Sequence, residues 1–263
     1  MLQILRAKNL KAKKYFSQNF LVNRGVLNKI VNAAKLKRTD NVIEIGCGLG
    51  VLTCELAQHA GKIIVYEKDA DMIQIAKENI SESKNIKFVN ADILKIQPPD
   101  RKYKLVANIP YSITTLILKH FLITAARHPE KIVFLIQKEV AKKICAVPPH
   151  MNLLALMVQV FGKPQIIAKV PAANFLPPPK VDSAILKINM YPAPQIKTNA
   201  DAFFKIVRAA FNQKRKMLSQ TLAKLTKKQK PEIEKILIKS TINPLSRPEN
   251  LSIKDWDNLI CSL

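Results

Sequence analysis

Acidic residues are scarce in this chain. Its 263 residues contain 19 Asp and Glu against 43 Lys and Arg, which leaves a formal net charge of +24. So large an excess implies a polyanionic partner, and nucleic acid fits better than an anionic membrane surface. No apolar stretch approaches the roughly 18–20 residues that a membrane span needs. The sequence therefore predicts a protein without a transmembrane segment.

Cysteine and histidine are also few, with four of each. The cysteines form no C-x-x-C pair and are typical of reduced thiols in a cytoplasmic protein. The histidines show no metal-ligand spacing, so we expect no metal site. The N-terminus lacks the apolar core of a secretion signal, and its basic composition leaves an organelle transit peptide open.

The positive charge is concentrated in two segments. Residues 1–39 and 202–230 contain no Asp or Glu, and the chain between them is closer to balanced. Two basic segments on either side of a more neutral middle indicate a phosphate-binding footprint around a working site. An ordinary solvated, lysine-rich surface would show the same composition.

Strand and helix patterns alternate through the first half of the chain. Short apolar runs separated by helix-period patterns indicate a mostly parallel sheet that is covered on both faces. The predicted strands are residues 41–45, 62–66, 86–90, 104–107 and 132–136. The predicted helices are residues 22–36, 51–60, 70–81, 114–124 and 138–146.

The pattern changes beyond these elements. Residues 165–170 and 184–190 are strands without a helix between them, which predicts an antiparallel hairpin at the edge of the sheet. Residues 191–194 (YPAP) are typical of a linker, and the chain beyond them is helical. We therefore predict an α/β domain over residues 1–192, with a basic N-terminal arm, and a small C-terminal helical domain over residues 193–263.

Polar or glycine residues follow four successive strands. The run G-x-G-x-G at residues 46–50 permits close backbone approach to a ligand, but its spacing differs from the G-x-G-x-x-G of dinucleotide-binding proteins. Glu67 suits a ribose diol and Asp92 an adenine amino group, although each could instead be a solvated or turn-capping residue. Asn108 follows the fourth strand. All four strand ends meet at the carboxyl edge of the sheet, where ligands bind.

The run Asn108-Ile109-Pro110-Tyr111 places an amide beside an aromatic ring. The amide oxygen and nearby carbonyls can accept hydrogen bonds from an exocyclic amino group, and the ring can stack on a flipped-out base. A proline turn followed by a core tyrosine would give the same residues.

These strand-end residues resemble the ordered motifs of S-adenosylmethionine-dependent methyltransferases of the Rossmann-like class. The resemblance narrows to the KsgA/Dim-type rRNA adenine dimethyltransferases and covers nearly the whole chain. The blocks that carry it are residues 17–21 (SQNFL), 136–141 (IQKEVA), 175–183 (FLPPPKVDS), 208–216 (RAAFNQKRK) and 243–252 (NPLSRPENLS).

The resemblance implies a class I methyltransferase fold that binds S-adenosylmethionine and releases S-adenosylhomocysteine. The donor-binding residues that it implies are Asn19, Leu21, Gly46, Glu67, Asp92 and Asn108. The catalytic residues that it implies are Asn108, Ile109, Pro110, Tyr111 and Phe175. Tyr111 and Phe175 would stack on opposite faces of the target adenine, although Phe175 could instead be a core anchor. Asn108 and the Ile109 carbonyl would steer the adenine N6, so that positioning replaces a general base.

The resemblance also implies the substrate, namely two adjacent adenines in a loop of small-subunit ribosomal RNA. The enzyme would act as a cytoplasmic monomer, without a membrane, on a pre-small-subunit particle. The residues that would meet RNA phosphates are Lys13, Lys14, Arg208, Lys214, Arg215 and Lys216.

Three residues depart from the usual pattern of that family: Ser17 replaces Gly, Cys47 replaces Pro and Ile109 replaces Leu. Ser17 and Ile109 also occur in the related Erm methyltransferases, which keeps large-subunit rRNA open as a target. The blocks at 175–183 and 208–216 favour small-subunit rRNA. A non-catalytic ribosome assembly factor, or a methyltransferase for DNA or for protein glutamine, could carry some of the same motifs.

Overall fold

The computed structural model describes residues 19–80 and 83–263. The predicted basic N-terminal arm, with Lys13, Lys14 and Ser17, lies outside these residues. The strands within the described part are β1 (Phe20–Leu21), β2 (Asn41–Ile45), β3 (Lys62–Glu67), β4 (Ile86–Asn90), β5 (Lys104–Asn108), β6 (Lys131–Gln137), β7 (Gly162–Val170), β8 (Phe175–Leu176) and β9 (Ser183–Met190). The α-helices there are α1 (Arg24–Ala34), α2 (Val51–Ala57), α3 (Ala70–Asn79), α4 (Thr114–Lys119), α5 (Lys138–Ile144), α6 (Leu153–Gln159), α7 (Ala200–Phe211), α8 (Leu218–Thr226), α9 (Lys230–Lys239) and α10 (Ile253–Cys261).

Seven strands form one sheet in the order β4-β3-β2-β5-β6-β9-β7. Strands β2 to β6 pair in parallel, and β9 pairs with β6 in the antiparallel sense. The predicted mostly parallel α/β sheet is therefore confirmed, and β9 and β7 lie next to each other at its edge as expected. The chain moves from β2 to β3 in one direction and later places β5 on the other side of β2, so the carboxyl ends of β2 and β5 flank a crevice suited to a ligand.

The helices begin and end where local chemistry requires. The side chain of Asn23 accepts a hydrogen bond from the Val26 amide and caps α1, and Lys35 ends that helix with a φ of 47°. Leu27, Ile30, Val31 and Ala34 lie on one face of this helix and are buried in the core. Residues 114–124, predicted as one α-helix, form α4 followed by one π-helical turn at His120–Thr124.

Two short strands that the sequence pattern does not reveal form a separate ribbon. In this β1/β8 ribbon, Phe20 pairs with Leu176 and Leu21 with Phe175. The ribbon packs on the glycine turn, because a Cβ added at Gly48 would lie 3.5 Å from the Phe20 ring. The residues before α1 are thus held against the carboxyl edge of the sheet.

The described chain divides into two compact units. One contains the residues up to Ala141 together with Pro164–Met190, and the other contains Lys142–Lys163 and Tyr191–Leu263. The second unit takes in α6, a helix that sequence reasoning did not identify. Compactness does not assign function, so the division at residues 192 and 193 stays a prediction. Within the described residues, no helix is long and apolar enough to cross a membrane.

Candidate active site

A cavity of about 360 Å³ lies in the first unit at the carboxyl edge of the sheet. Its lining includes every donor-binding residue that the sequence predicts and the whole Asn108–Tyr111 motif. The predicted residues that line it are Asn19, Leu21, Gly46, Glu67, Asp92, Asn108, Ile109, Pro110 and Tyr111. Parallel pairing produces this convergence, because residues at the ends of β2, β3 and β5 share one edge.

The glycine turn after β2 forms one wall of the cavity. Gly46, Gly48 and Gly50 have φ angles of +78°, +50° and +81°, a left-handed conformation that other residues adopt only at a cost. A Cβ at Gly50 would come within 2.9 Å of the Ile80 side chain. The turn therefore requires glycine, and its bare backbone leaves room for a ligand at close range.

Glu67 ends β3 with its carboxylate fixed beside this turn. One oxygen accepts a hydrogen bond from the Asp69 amide at 2.9 Å, and the other lies 3.8 Å from the Cys47 sulfur. Burial raises the pKa of Glu67. A carboxylate held in this way can accept hydrogen bonds from hydroxyl groups in the cavity.

Asp92 has a local role as well as a place in the cavity wall. Its side chain accepts a hydrogen bond from the Leu94 amide at 3.0 Å and caps the short helix Ile93–Lys95. The second oxygen lies 3.5 Å from the Lys68 ammonium. The turn-capping interpretation and the ligand-facing position are thus compatible.

Asn108 projects its amide into the site from the end of β5. The side-chain nitrogen donates to the main-chain oxygen of Asn19 at 3.3 Å, and the side-chain oxygen makes no hydrogen bond to the described residues. Ile109 is anchored by its amide, which donates to the Leu135 carbonyl. The hydroxyls of Tyr111 and Ser183 lie 2.6 Å apart, and burial raises the pKa of Tyr111.

None of the other predicted residues within the described part of the chain is part of the cavity lining. Phe175 is 3% exposed, lies in β8 opposite Leu21 and is not part of the cavity lining. Arg208 is exposed on α7, with its guanidinium carbon 5.9 Å from the centre of the Phe204 ring. Lys214, Arg215 and Lys216 are exposed in the turn after α7.

Sequence reasoning assigned no role to Glu44, which also lines the cavity. This side chain is completely buried, and within the described part of the chain neither of its carboxylate oxygens has a hydrogen-bond partner of ordinary geometry. The available signal was an acidic residue inside the otherwise apolar strand 41–45. Over the described residues, no group of three His, Cys, Asp or Glu residues is arranged to hold a metal ion.

The strand order and the residues that line the cavity define a Rossmann-like methyltransferase that uses S-adenosylmethionine. The residues fit this ligand, because the turn that lines the cavity carries glycines at positive φ, without side chains, and an oriented acid ends the next strand. A family model described as ribosomal RNA adenine dimethylase matches residues 9–260. The chain belongs to this family, and the prediction of a methyl-transferring enzyme is confirmed.

Individual relatives agree with the family. The chain is 43% identical to a ribosomal RNA small subunit methyltransferase A from Dehalococcoides mccartyi strain CBDB1, over 98% of this chain and 90% of that protein. It is 36% identical to the protein of the same name from Caldanaerobacter subterraneus, over 97% of this chain and 98% of that protein.

Two solved structures share the fold over almost the full length. A dimethyladenosine transferase from Plasmodium falciparum is 31% identical with a TM-score of 0.79, covering 91% of this chain and 95% of that one. The 23S rRNA methyltransferase ErmE is 29% identical with a TM-score of 0.78, covering 93% and 99%.

Proposed function

We propose that this chain transfers methyl groups from S-adenosylmethionine to N6 of two adjacent adenines in a loop of small-subunit rRNA during ribosome assembly. The observation that carries the proposal is the oriented amide of Asn108 in the cavity. The names of the curated relatives favour small-subunit rRNA as the target. The fold alone does not distinguish small-subunit from large-subunit rRNA as the target, because the structural similarity to ErmE is nearly as high as the similarity to the dimethyladenosine transferase.

For the donor, the proposed contacts follow the strand ends. Glu67 would accept hydrogen bonds from the ribose hydroxyls, and Asp92 would accept from the adenine amino group. Gly46 would pass beneath the ligand, and Asn19 and Leu21 would cover it from the β1/β8 ribbon. When bound, S-adenosylmethionine supplies an electrophilic methyl group on a sulfonium.

For the acceptor, the protein has to hold an adenine outside its stack, since N6 is otherwise out of reach. The free oxygen of Asn108 and the Ile109 carbonyl would accept from the two N6 hydrogens. These two hydrogen bonds favour a pyramidal geometry at the adenine N6, so that its lone pair is localised and points in a single direction. The Tyr111 ring would stack on the base, which contributes about 1–3 kcal/mol.

Among the five residues predicted to be catalytic, Phe175 is the one that does not line the cavity. Its burial opposite Leu21 supports an anchoring role for the β1/β8 ribbon, and stacking on a base would require the ring to leave that position. The stacking role therefore stays a prediction. A Phe175→Leu variant that keeps full activity would favour the anchoring role.

The RNA would meet the basic residues of the second unit, including Lys214, Arg215 and Lys216, whose exposure suits phosphate contacts. Lys13 and Lys14 would extend this contact in the N-terminal arm. We further propose that the enzyme works in the cytoplasm as a monomer on a pre-small-subunit particle. These points rest on composition and on the resemblance.

The proposal is tested by mapping N6-methyladenine species in rRNA from cells with and without this protein. We expect two adjacent N6,N6-dimethyladenines in small-subunit rRNA to disappear when the protein is absent. Loss of a large-subunit modification would instead support an Erm-like activity. No change in methylation, combined with no heat of S-adenosylmethionine binding in calorimetry, would support a non-catalytic assembly factor.

A further inference from the structure

Glu44 is a buried acid that the proposed reaction does not use. It lies near the end of β2, where its neighbours across the sheet are Val65 on β3 and Val106 on β5, both fully buried. Among the described residues, neither carboxylate oxygen has a partner within ordinary hydrogen-bonding geometry, although the Thr53 hydroxyl, itself without a partner there, is near enough to act on the pKa of Glu44. A polar side chain in such surroundings carries a large desolvation cost.

Buried polar groups in proteins almost always have partners, so this exception calls for a physical reason. Glu44 lines the same cavity as Glu67 and Asn108. Burial, together with the nearby negative charge of Glu67, raises the pKa of Glu44 to about 8, and the neighbouring Thr53 hydroxyl opposes this rise only in part. A positive charge in the cavity would favour the ionised carboxylate and offset part of the desolvation cost.

We propose that Glu44 is a specificity-determining residue that makes the donor site prefer the cationic sulfonium of S-adenosylmethionine over the uncharged sulfur of the demethylated product. This inference rests on the proposed function, because it assumes that the cavity holds the donor. The two ligands share their adenosine, ammonium and carboxylate groups. The site can therefore distinguish the two ligands by the positive charge on sulfur and by the methyl group that S-adenosylmethionine carries there.

The expected size follows from Coulomb's law at close range. Two unit charges several ångströms apart at an effective dielectric constant of about 20 interact strongly enough to change affinity by on the order of 100-fold. The cost of ionising a carboxyl whose pKa is raised offsets part of this gain, so we expect a net effect of about tenfold. Glu67 contributes to the same field, but one of its oxygens is already held by the Asp69 amide. The consequence for the enzyme is that removal of the methyl group weakens binding and assists release of the product.

The test is calorimetric binding of three ligands to wild type and to Glu44→Gln. The ligands are S-adenosylmethionine, S-adenosylhomocysteine and sinefungin, whose amine carries a positive charge near the position of the sulfonium. We expect the variant to lose about tenfold in affinity for the two cationic ligands and less than about twofold for S-adenosylhomocysteine. Glu78→Gln, at an exposed position on α3, is the matched control and should change none of the three.

Equal losses for all three ligands, or no loss for any, would overturn the inference. If wild type binds none of them, the proposed donor site itself fails, so the two failures are distinguishable.

A second measurement covers the case in which Glu44→Gln does not fold. The titratable groups that interact with Glu44 are Glu67 and Cys47, and Lys68 and Asp92 also line the cavity. In wild type, the affinity ratio of S-adenosylmethionine to S-adenosylhomocysteine should rise severalfold from pH 6.0 to pH 7.5 as Glu44 ionises. It should rise likewise in Glu67→Gln, and a flat ratio in that variant would contradict the role of Glu44.

Discussion

The side-chain nitrogen of Asn108 lies 3.3 Å from the main-chain oxygen of Asn19. A carbonyl oxygen only accepts hydrogen bonds, so this contact assigns the NH₂ group of Asn108 to the Asn19 side and leaves its oxygen for the substrate. Asn19 immediately precedes β1, so the ribbon that covers the cavity also orients the amide. In the proposed reaction, the segment that would cover the donor and the amide that would position the acceptor are thereby linked by one hydrogen bond.

Replacement of Asn108 by Asp tests this coupling. An ionised carboxylate would face the Asn19 carbonyl without a hydrogen, whereas a protonated one can donate to it and still present an acceptor oxygen. We expect Asn108→Asp to lose at least about 100-fold in methyl transfer at pH 8 and to recover part of that loss at pH 6. The measurement is initial rate against pH beside wild type. A loss of equal size at both pH values would contradict the orientation described here.

Two variants of Tyr111 distinguish the contribution of its aromatic ring from that of its hydroxyl group. Tyr111→Phe keeps the stacking surface and loses the contact with Ser183, so we expect activity within about threefold of wild type. Tyr111→Ala removes the ring and should reduce kcat/KM for RNA by about 10- to 100-fold. Ser183→Ala is the control for the hydroxyl contact and should behave like Tyr111→Phe. Similar losses for the Phe and Ala variants would argue against stacking.

The exposed turn after α7 is predicted to bind phosphates. Neutralising Lys214, Arg215 and Lys216 together should weaken RNA binding and reduce the slope of log affinity against log salt by about 2, while donor binding is unchanged. The matched control neutralises three exposed lysines elsewhere in the same unit, Lys235, Lys239 and Lys254. Filter binding at several salt concentrations gives both slopes. Equal effects of the two triple variants would indicate general charge attraction.

Stability should depend on pH through Glu44. Its pKa in the folded protein, raised to about 8 from an ordinary 4.5, means that folding favours the protonated form. The stabilisation is fully present below about pH 4.5 and is lost as the pH rises toward 8. Glu44→Gln has no charge to lose, so we expect it to be more stable than wild type by on the order of 4 kcal/mol at pH 8 and nearly equal at pH 4.5. Urea unfolding of the ligand-free protein at both pH values measures this, and a difference independent of pH would refute it.

Much of the fold could be predicted because the signals are local. Strands β2 and β4 begin and end at the predicted residues, since each is a short run of strand-forming residues between turn signals. Helix α1 is shorter than predicted, because Asn23 caps it and Lys35 adopts a positive φ. The β1/β8 ribbon could not be predicted, since two-residue strands far apart in the chain carry no periodic pattern.

The candidate site likewise has features that could be predicted from the sequence and features that could not. Glu67, Asp92 and Asn108 could be placed together because residues at parallel strand ends share an edge. The Asn19–Asn108 contact depends on a main-chain oxygen brought in by the ribbon, and no residue type marks it. Glu44 was visible as an acid inside an apolar strand, but its lack of partners is a property of the packed structure.

The most direct test of the central claim is single-turnover methyl transfer by Asn108→Ala. Radiolabelled S-adenosylmethionine and small-subunit particles from cells that lack this protein supply the donor and the acceptor. We expect incorporation into rRNA to fall by at least about 1,000-fold, while calorimetric donor affinity stays within about tenfold of wild type. Incorporation at the wild-type rate would contradict the account, because the oriented amide would then have no part in the reaction.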